Sequence, residues 1–241
     1  MTRAGTRRSA GTIERRTAGL RQHADVIALL MLTFSTGVVD AVGFLGLDRV
    51  FTGNMTGNVV IMGMAMTGST GLPVLGPTVA LAGFMVGAVV GGRVLRTTAS
   101  AWTRRTVVVL LTVAMVLAAC ALGALVVEDL TAPGQVTVAA LLASAMGAQA
   151  AAARHVGVKD VTTVVVTSTI TGLAADSRLG GNTRGGLTGR RSAAVVLIIL
   201  GAATGAALLQ VDLAAGLAVA VAVTAVATTT GAIWANRAAP E

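Results

Sequence analysis

Charged residues are scarce in this sequence, and their scarcity excludes an ordinary soluble domain. Asp, Glu, Lys and Arg together make up 12% of the 241 residues, about half the share usual in soluble globular domains. Tyrosine is absent, and four Phe and two Trp form the whole aromatic content. A membrane protein of this composition would nearly lack the belt of aromatic side chains that often marks the two lipid–water interfaces.

Cysteine and histidine are too few to build the common metal and disulfide sites. Cys120 is the single cysteine, so the chain forms no internal disulfide, and we expect a buried, inert thiol. His23 and His155 lie far apart and away from any cluster of carboxylates, which argues against a zinc site. Because no nucleotide-binding motif occurs either, we expect no metal, no cofactor and no ATP hydrolysis.

What the sequence does contain is a series of long apolar blocks. Each is about 20 residues long, enough for a helix to cross the ~30 Å hydrocarbon core, and none alternates apolar and polar residues as membrane-barrel strands do. The blocks are 26–47, 72–92, 106–127, 135–153, 192–211 and 213–234. They predict an all-α, polytopic helical membrane protein with six spans, in which 26–235 form a single transmembrane domain.

The basic residues predict the orientation of the spans. All of the 18 Lys and Arg residues except Arg49 lie in a few polar stretches: 1–25, 91–105, 154–160, 176–191 and the C-terminal tail. The positive-inside rule places these stretches, and both termini, in the cytoplasm. We expect a multi-pass protein of the cell (plasma) membrane with a disordered basic cytoplasmic tail over 1–25. Nucleic acid is not an expected partner, because no nucleic-acid-binding module accompanies the charge.

With this orientation, each of two polar segments must enter and leave the membrane on one and the same side. Residues 51–70, dense in Gly, Thr and Asn, do so on the outer side, and residues 161–175, dense in Thr, do so on the cytoplasmic side. We interpret them as half-inserted, broken segments, which membranes tolerate where protein or a wet cavity covers the backbone. Eight full spans are the alternative, but they would put 91–105, whose charged residues are all arginines, on the outside.

The two halves of the chain predict an inverted-topology repeat. Each half consists of a span, a half-inserted segment and two further spans, and the halves are residues 26–127 and 135–234. The positive-inside rule gives the two halves opposite orientations in the membrane. The segment 35–41 aligns with 144–150, although the identity is low. This layout is common in secondary transporters.

Glycines four residues apart recur in equivalent spans of the two halves. Small residues at this spacing let membrane helices approach closely. We assign them to helix packing, without a ligand role: Gly83, Gly87, Gly91, Gly201 and Gly205.

Asp40 is an acid inside the first apolar block. A carboxylate facing lipid there would cost at least ~2–3 kcal/mol, so we expect it to face the bundle interior or a wet cavity. Two roles fit. It could change its protonation state during transport and couple protons, or it could make a structural hydrogen bond to Asn or Thr of the half-inserted segment.

A doubled Thr-Gly-Asn pattern follows at 52–54 and 56–58. Helical spacing would put Asn54 and Asn58 on one face, and Thr and Asn are good helix N-caps. A helix starting here inside the membrane would aim free N–H groups at a cavity, which suits an anion.

The second half would supply hydroxyl groups from the opposite side, through Thr162, Thr163 and 167–169. Gln149 takes the position aligned with Asp40 and can form hydrogen bonds but cannot titrate. The candidate substrate-binding and coupling residues are Asp40, Asn54, Thr56, Gly57, Asn58, Gln149, Thr167 and Thr169.

At these residues the chain resembles the YoaK-like bacterial membrane proteins, a family of unknown function. The resemblance rests on a Thr-Gly…Asp pattern at 36–40 and on Phe-Thr-Gly-Asn-Met-Thr-Gly-Asn at 51–58, within a pattern of apolar segments over about 25–235. Ser168 stands where relatives carry the glycine of a second Thr-Gly-Thr motif. The resemblance implies an inner-membrane protein with multiple spans and supplies no substrate.

These observations predict a secondary transporter of a small solute, with an anion best suited and proton coupling through Asp40. A channel, or an assembly or sensor subunit that does not transport, is the alternative. A membrane enzyme is disfavoured because no nucleophile–base pair, metal cluster or carboxylate pair is evident. The expected partners are the lipid bilayer and the solute, and association into a homo-oligomer is left open.

Overall fold

The computed structural model describes residues 3–68, 71–98, 102–127, 130–158, 166–177 and 188–237, and every regular element within these ranges is an α-helix. The helices are α1 Arg3–Gly46, α2 Met55–Ala65, α3 Leu75–Leu95, α4 Arg104–Val126, α5 Ala132–Val156, α6 Val166–Ala175, α7 Thr188–Leu209 and α8 Leu213–Arg237. The all-α prediction is confirmed.

Six of these helices are long and apolar enough to cross a membrane: α1 from Gln22 onward, α3, α4, α5, α7 and α8. The two remaining helices, α2 and α6, are apolar but have 11 and 10 residues. At ~1.5 Å per residue each covers about half of the ~30 Å hydrocarbon core. The prediction of six long spans and two short apolar segments is confirmed, and within the described residues neither short helix is long enough for a full span.

The first helix is longer than expected. We predicted a disordered tail over 1–25, but α1 begins at Arg3, so the prediction is wrong for 3–25. This stretch contains no proline and is rich in Ala and Arg, which favour helix. Because the adjoining span already supplies a nucleus, each further residue adds one hydrogen bond without a new nucleation cost.

The core of the bundle is formed by α1, α4, α5 and α8, which meet in two apolar clusters. In one cluster Val42 of α1 lies with Ala139 of α5, and in the other Leu29 lies with Ala153. As α1 advances along the bundle, α5 therefore runs backward, and the two helices are antiparallel. Cys120 is buried in the first cluster, as predicted.

The outer helices α3 and α7 are attached to this core through glycines. A Cβ at Gly87 would lie 1.8 Å from the carbonyl oxygen of Ser144 in α5, and one at Gly201 would lie 2.1 Å from that of Phe34 in α1. Such distances leave room for hydrogen alone, so these helix backbones are in direct contact. The predicted packing role of the glycines is confirmed.

The two contacts repeat with a different register from the one the sequence alignment suggested. Gly87 and Gly91 of α3 face Ser144 and Ala148, just as Gly201 and Gly205 of α7 face Phe34 and Val38. The alignment matched Gly83–Gly87 with Gly201–Gly205, whereas the contacts favour a match of Gly87–Gly91 with Gly201–Gly205, one helical turn away. Three glycines spaced by four residues in α3 made several alignments equally good, and the contacts decide among them.

The same contacts correct the partner of Asp40. Gly37 packs on Ile198 and Ala202, and Gly147 packs on Phe84 and Ala88. If Gly37 and Gly147 are equivalent, the residue equivalent to Asp40 is Ala150, not Gln149. In this register the second half has no polar side chain at the place of Asp40.

Candidate functional site

The chain turns back sharply after α1 ends at Gly46. Asp48 and Arg49 take positive φ angles of 53° and 59°, which non-glycine residues seldom adopt. The chain then runs antiparallel to the last turns of α1 before α2 begins. Phe51 stacks on Phe44 with ring centroids 4.6 Å apart and 24° between the planes, so the returning loop is packed directly on the helix.

The side chain of Asp40 holds this returning loop by accepting hydrogen bonds from the loop's backbone. Its Oδ1 accepts hydrogen bonds from the N–H groups of Thr52 at 2.9 Å, Gly53 at 2.6 Å and Asn54 at 3.3 Å, and from the Thr52 hydroxyl at 3.3 Å. Successive N–H groups aimed at one point form an anion-binding concavity. Among the described residues, all hydrogen bonds of the Asp40 carboxyl group are made by Oδ1.

Gly53 and Gly57 are glycines for steric reasons. A Cβ at Gly53 would lie 3.1 Å from the Thr36 methyl group, and one at Gly57 would lie 2.6 Å from the ring of Phe51. A side chain at Gly57 would therefore separate Phe51 from α2, and one at Gly53 would make a tight contact that shifts Thr36 or the loop by a few tenths of an ångström. The glycines of the doubled motif let the loop, the ring and the helix pack together.

Asn58 fixes the loop from the other side. It is fully buried, and its amide makes two hydrogen bonds to the backbone of Phe51. Oδ1 accepts from the Phe51 N–H at 2.9 Å, and Nδ2 donates to the Phe51 carbonyl at 2.7 Å. Both polar atoms of its amide are used to position Phe51, and the solute contact expected of Asn58 stays a prediction.

Asn54 is the N-cap of α2. Its side-chain oxygen accepts a hydrogen bond from the Gly57 N–H at 3.2 Å, and the residue is exposed. Since α2 begins at Met55, Asn54 precedes the helix and does not share a helical face with Asn58. The amide nitrogen of Asn54 remains available to the space in front of the helix.

A cavity of about 650 Å³ opens in front of the two short helices. From the first half it is lined by Thr36 and Asp40 of α1 and by the start of α2. From the second half it is lined by the start of α6 and by Ile198 of α7. Five of the predicted residues meet on its wall: Asp40, Asn54, Thr56, Gly57 and Thr167.

Gln149 lies behind this wall. It is buried, and its Nε2 donates to the Thr36 hydroxyl at 3.0 Å and, at 3.4 Å, to the carbonyl of Leu32. Its Oε1 has no hydrogen-bond partner among the described residues. Gln149 joins α5 to Thr36, the α1 residue that lines the cavity, and its predicted contact with solute stays a prediction.

Thr169, the last predicted site residue, is buried in α6 and is not on the cavity wall. Its direct contact with solute stays a prediction. Thr162 and Thr163 lie outside the described residues. The sequence missed the apolar part of the wall, formed by Phe44, Phe51 and Ile198.

Arg191 is a second feature that sequence reasoning missed. It had been treated as one of several topology signals, but it is buried. Its guanidinium donates to the carbonyl of Gly172 at 2.8 Å and forms an ion pair with Asp176 at 2.5 Å. This contact ties the end of α6 to α7, so Arg191 fixes the short helix whose other end faces the cavity.

Comparison with known proteins places this architecture in a family. Residues 28–230 match the family described as "Protein of unknown function (DUF1275)". The chain belongs to this family. It is also similar to "UPF0700 transmembrane protein YoaK" of Bacillus subtilis (strain 168), with 30% identity over 149 residues.

The match to YoaK covers 61% of this chain and 65% of the relative, slightly under two thirds of that protein's length. No solved structure matches the chain. The family and the transmembrane relative confirm the predicted resemblance, and with the six apolar helices they establish a multi-pass membrane protein. They name no substrate and no activity.

Proposed function

We propose that this protein is a secondary transporter of a small solute and that the cavity beside Asp40 is its binding site. One observation carries the proposal. Residues of two short apolar helices, one from each half of the chain, line the same cavity of about 650 Å³. Short broken helices that meet near the membrane midplane form the substrate site in many transporters.

The chemistry of the wall favours a solute with an anionic group. The dipole of α2 adds positive potential at its N-terminus, where the N–H groups of Met55 and Gly57 already donate to the Gly53 carbonyl and to the Asn54 side chain. Thr56 and Thr167 lie at the starts of α2 and α6 and line the cavity, and their hydroxyl groups can also donate. The apolar rings of Phe44 and Phe51 would cover the non-polar part of the solute.

Asp40 would then serve as the coupling group. An ionised carboxylate on the same wall repels an anion, whereas a protonated one does not and can donate from Oδ2. A proton and an anion would therefore bind together and cross with no net charge. Departure of the proton restores the full negative charge of Asp40, which expels the anion. In this proposal the chain catalyses no covalent reaction.

The packing supports the inverted repeat on which this mechanism depends. The contact between α3 and α5 in one pair of helices corresponds to the contact between α7 and α1 in the other. Both pairs are parallel and have glycines at equivalent places. The equivalent helices α1 and α5 are themselves antiparallel within the core. A motion of one half against the other could therefore open the cavity to each side of the membrane in turn.

Replacing Asp40 with asparagine is expected to abolish proton-coupled uptake, because asparagine preserves the acceptor for the loop but cannot titrate. The measurement uses proteoliposomes that contain a pH-sensitive dye, with an imposed gradient of inorganic phosphate, sulfate or a short mono- or dicarboxylate. The wild type should acidify the lumen with one of these anions, and Asp40→Asn should match protein-free liposomes.

The matched control is Asp48→Asn, which removes an exposed acid from the same loop and keeps a residue type that tolerates positive φ. It should transport like the wild type. Equal flux in Asp40→Asn and the wild type would remove Asp40 from the mechanism. If the folded wild type moves none of these anions, the transporter proposal fails and a sensor or assembly subunit is favoured.

We further propose that the protein lies in the cell membrane with both termini in the cytoplasm. The arginines at the ends of α3 and α5 support this orientation. In a Cys120→Ala background, cysteine at Thr67 should react with an impermeant maleimide in intact cells. Cysteine at Arg93 should react after permeabilisation. The opposite labelling pattern would show that the protein has the reverse orientation in the membrane.

A further inference from the structure

A second groove, away from the cavity, lies between α3 and α5 where both helices end. It encloses about 620 Å³. Its walls are apolar and consist largely of small residues, which keep the two helices close but leave a furrow between them. The groove extends along α3 from Leu95 back to Phe84, a length of about 16 Å at ~1.5 Å per residue.

The mouth of this groove is basic. Arg96 and Arg154 line it and are both exposed, and neither forms an ion pair with a described residue. His155 also lines the mouth, where its Nε2 lies 3.0 Å from the Thr98 hydroxyl. Two guanidinium groups thus stand at one end of a furrow with no carboxylate on its lining.

The pseudo-equivalent groove between α1 and α7 lacks this charge. The glycine register pairs Arg154 with Phe44, and it pairs Arg96 with Gln210. The lining of the α1–α7 groove is apolar except for Asp40. Packing of the two helix pairs accounts for both furrows, but it does not account for two arginines at the mouth of one of them.

We propose that the α3–α5 groove binds one anionic glycerophospholipid. The phosphate group would lie between Arg96 and Arg154, because guanidinium groups bind phosphate oxygens through paired, charge-assisted hydrogen bonds. An acyl chain would follow the apolar furrow toward Phe84. Basic pockets between membrane helices on the arginine-rich side are suited to anionic lipid head groups. This inference does not depend on the transport proposal.

The test compares lipid binding to purified wild type, Arg96→Gln/Arg154→Gln and a control, Arg93→Gln/Arg104→Gln. The control removes two exposed arginines of the same end that do not line the groove. Phosphatidylglycerol and phosphatidylcholine are titrated separately, and bound lipid is counted by native mass spectrometry. The wild type should prefer phosphatidylglycerol.

Loss of both groove arginines should weaken phosphatidylglycerol binding about 25-fold, because each arginine near lipid phosphate raises the affinity about fivefold. Phosphatidylcholine binding should change little, and so should the control. An equal loss in the control would assign the preference to diffuse surface charge and overturn the proposal. Full competition by millimolar inorganic phosphate would assign the site to free phosphate and would also overturn it.

A conservative variant separates loss of binding from loss of folding. Arg96→Lys/Arg154→Lys keeps both charges but loses the planar, paired donors. It should elute from size exclusion like the wild type and keep part of the preference for phosphatidylglycerol, between that of the wild type and that of the glutamine variant. A folded lysine variant that binds phosphatidylglycerol as tightly as the wild type would show that paired guanidinium contacts do not hold the phosphate, and the proposed contact would be wrong.

Discussion

Alanine in place of Gly87 is expected to lower the free energy of unfolding by about 3 kcal/mol, near the upper end of the usual cost of overpacking. The added Cβ would lie 1.8 Å from the Ser144 carbonyl oxygen, where real contacts stay beyond 3.0 Å. The obstacle is backbone and cannot rotate away, so α3 and α5 must separate by about 1 Å and lose dispersion contacts along their length.

The same helix supplies the matched control. Gly92 has no atom within 4 Å of the place where its Cβ would lie. Gly92→Ala should therefore leave stability unchanged or raise it by up to about 1 kcal/mol, because alanine favours helix more than glycine. Both variants are measured by SDS titration of the detergent-solubilised protein. Equal stability of the two would show that α3 and α5 do not pack through Gly87.

Alanine in place of Asn58 is expected to destabilise the protein and to abolish solute binding together. The substitution leaves the N–H and C=O groups of Phe51 without their partners, at about 1–3 kcal/mol for each orphaned buried group. The loop that Asp40 holds would then lose its second anchor. Binding is measured as the thermal shift produced by the anion that the wild type transports, and stability by SDS titration.

Two further variants separate positioning from direct contact. Asn58→Asp keeps the acceptor for the Phe51 N–H and loses the donor to its carbonyl, so an intermediate loss of stability is expected. Asn54→Ala removes one cap bond at an exposed position and should cost about 1 kcal/mol. If Asn58→Ala retained wild-type stability and lost binding alone, Asn58 would contact the solute and the positioning role would be wrong.

The sequence predicted the membrane elements well because the relevant forces act locally. Hydrophobic length and the scarcity of charge within each block set the six long helices, and the excess of Thr, joined by Gly and Asn in the first half, marked α2 and α6. The tail over 3–25 was misread because its charge suggested disorder. Its lack of proline and its attachment to a formed helix were the better guides.

The site was predicted in part, and the errors have physical reasons. The rule that residues four apart share a helical face was applied to Asn54 and Asn58, but α2 begins between them. A buried amide pointing back at Phe51 depends on the fold of a loop, which no local pattern encodes. Gln149 was assigned by an alignment of low identity, and the backbone contacts of Gly37 and Gly147 corrected it.

The parallel contact between α1 and α7 has a consequence for the biogenesis of the protein. The glycine surface of α1 around Gly37 is covered by a helix that begins about 150 residues later in the chain. At the usual rate of translation, roughly 10–30 s separate the synthesis of these partners. During this interval α1 stands in the bilayer with lipid or the insertion machinery against its glycines, so the first half cannot complete its fold until the last two helices have left the ribosome.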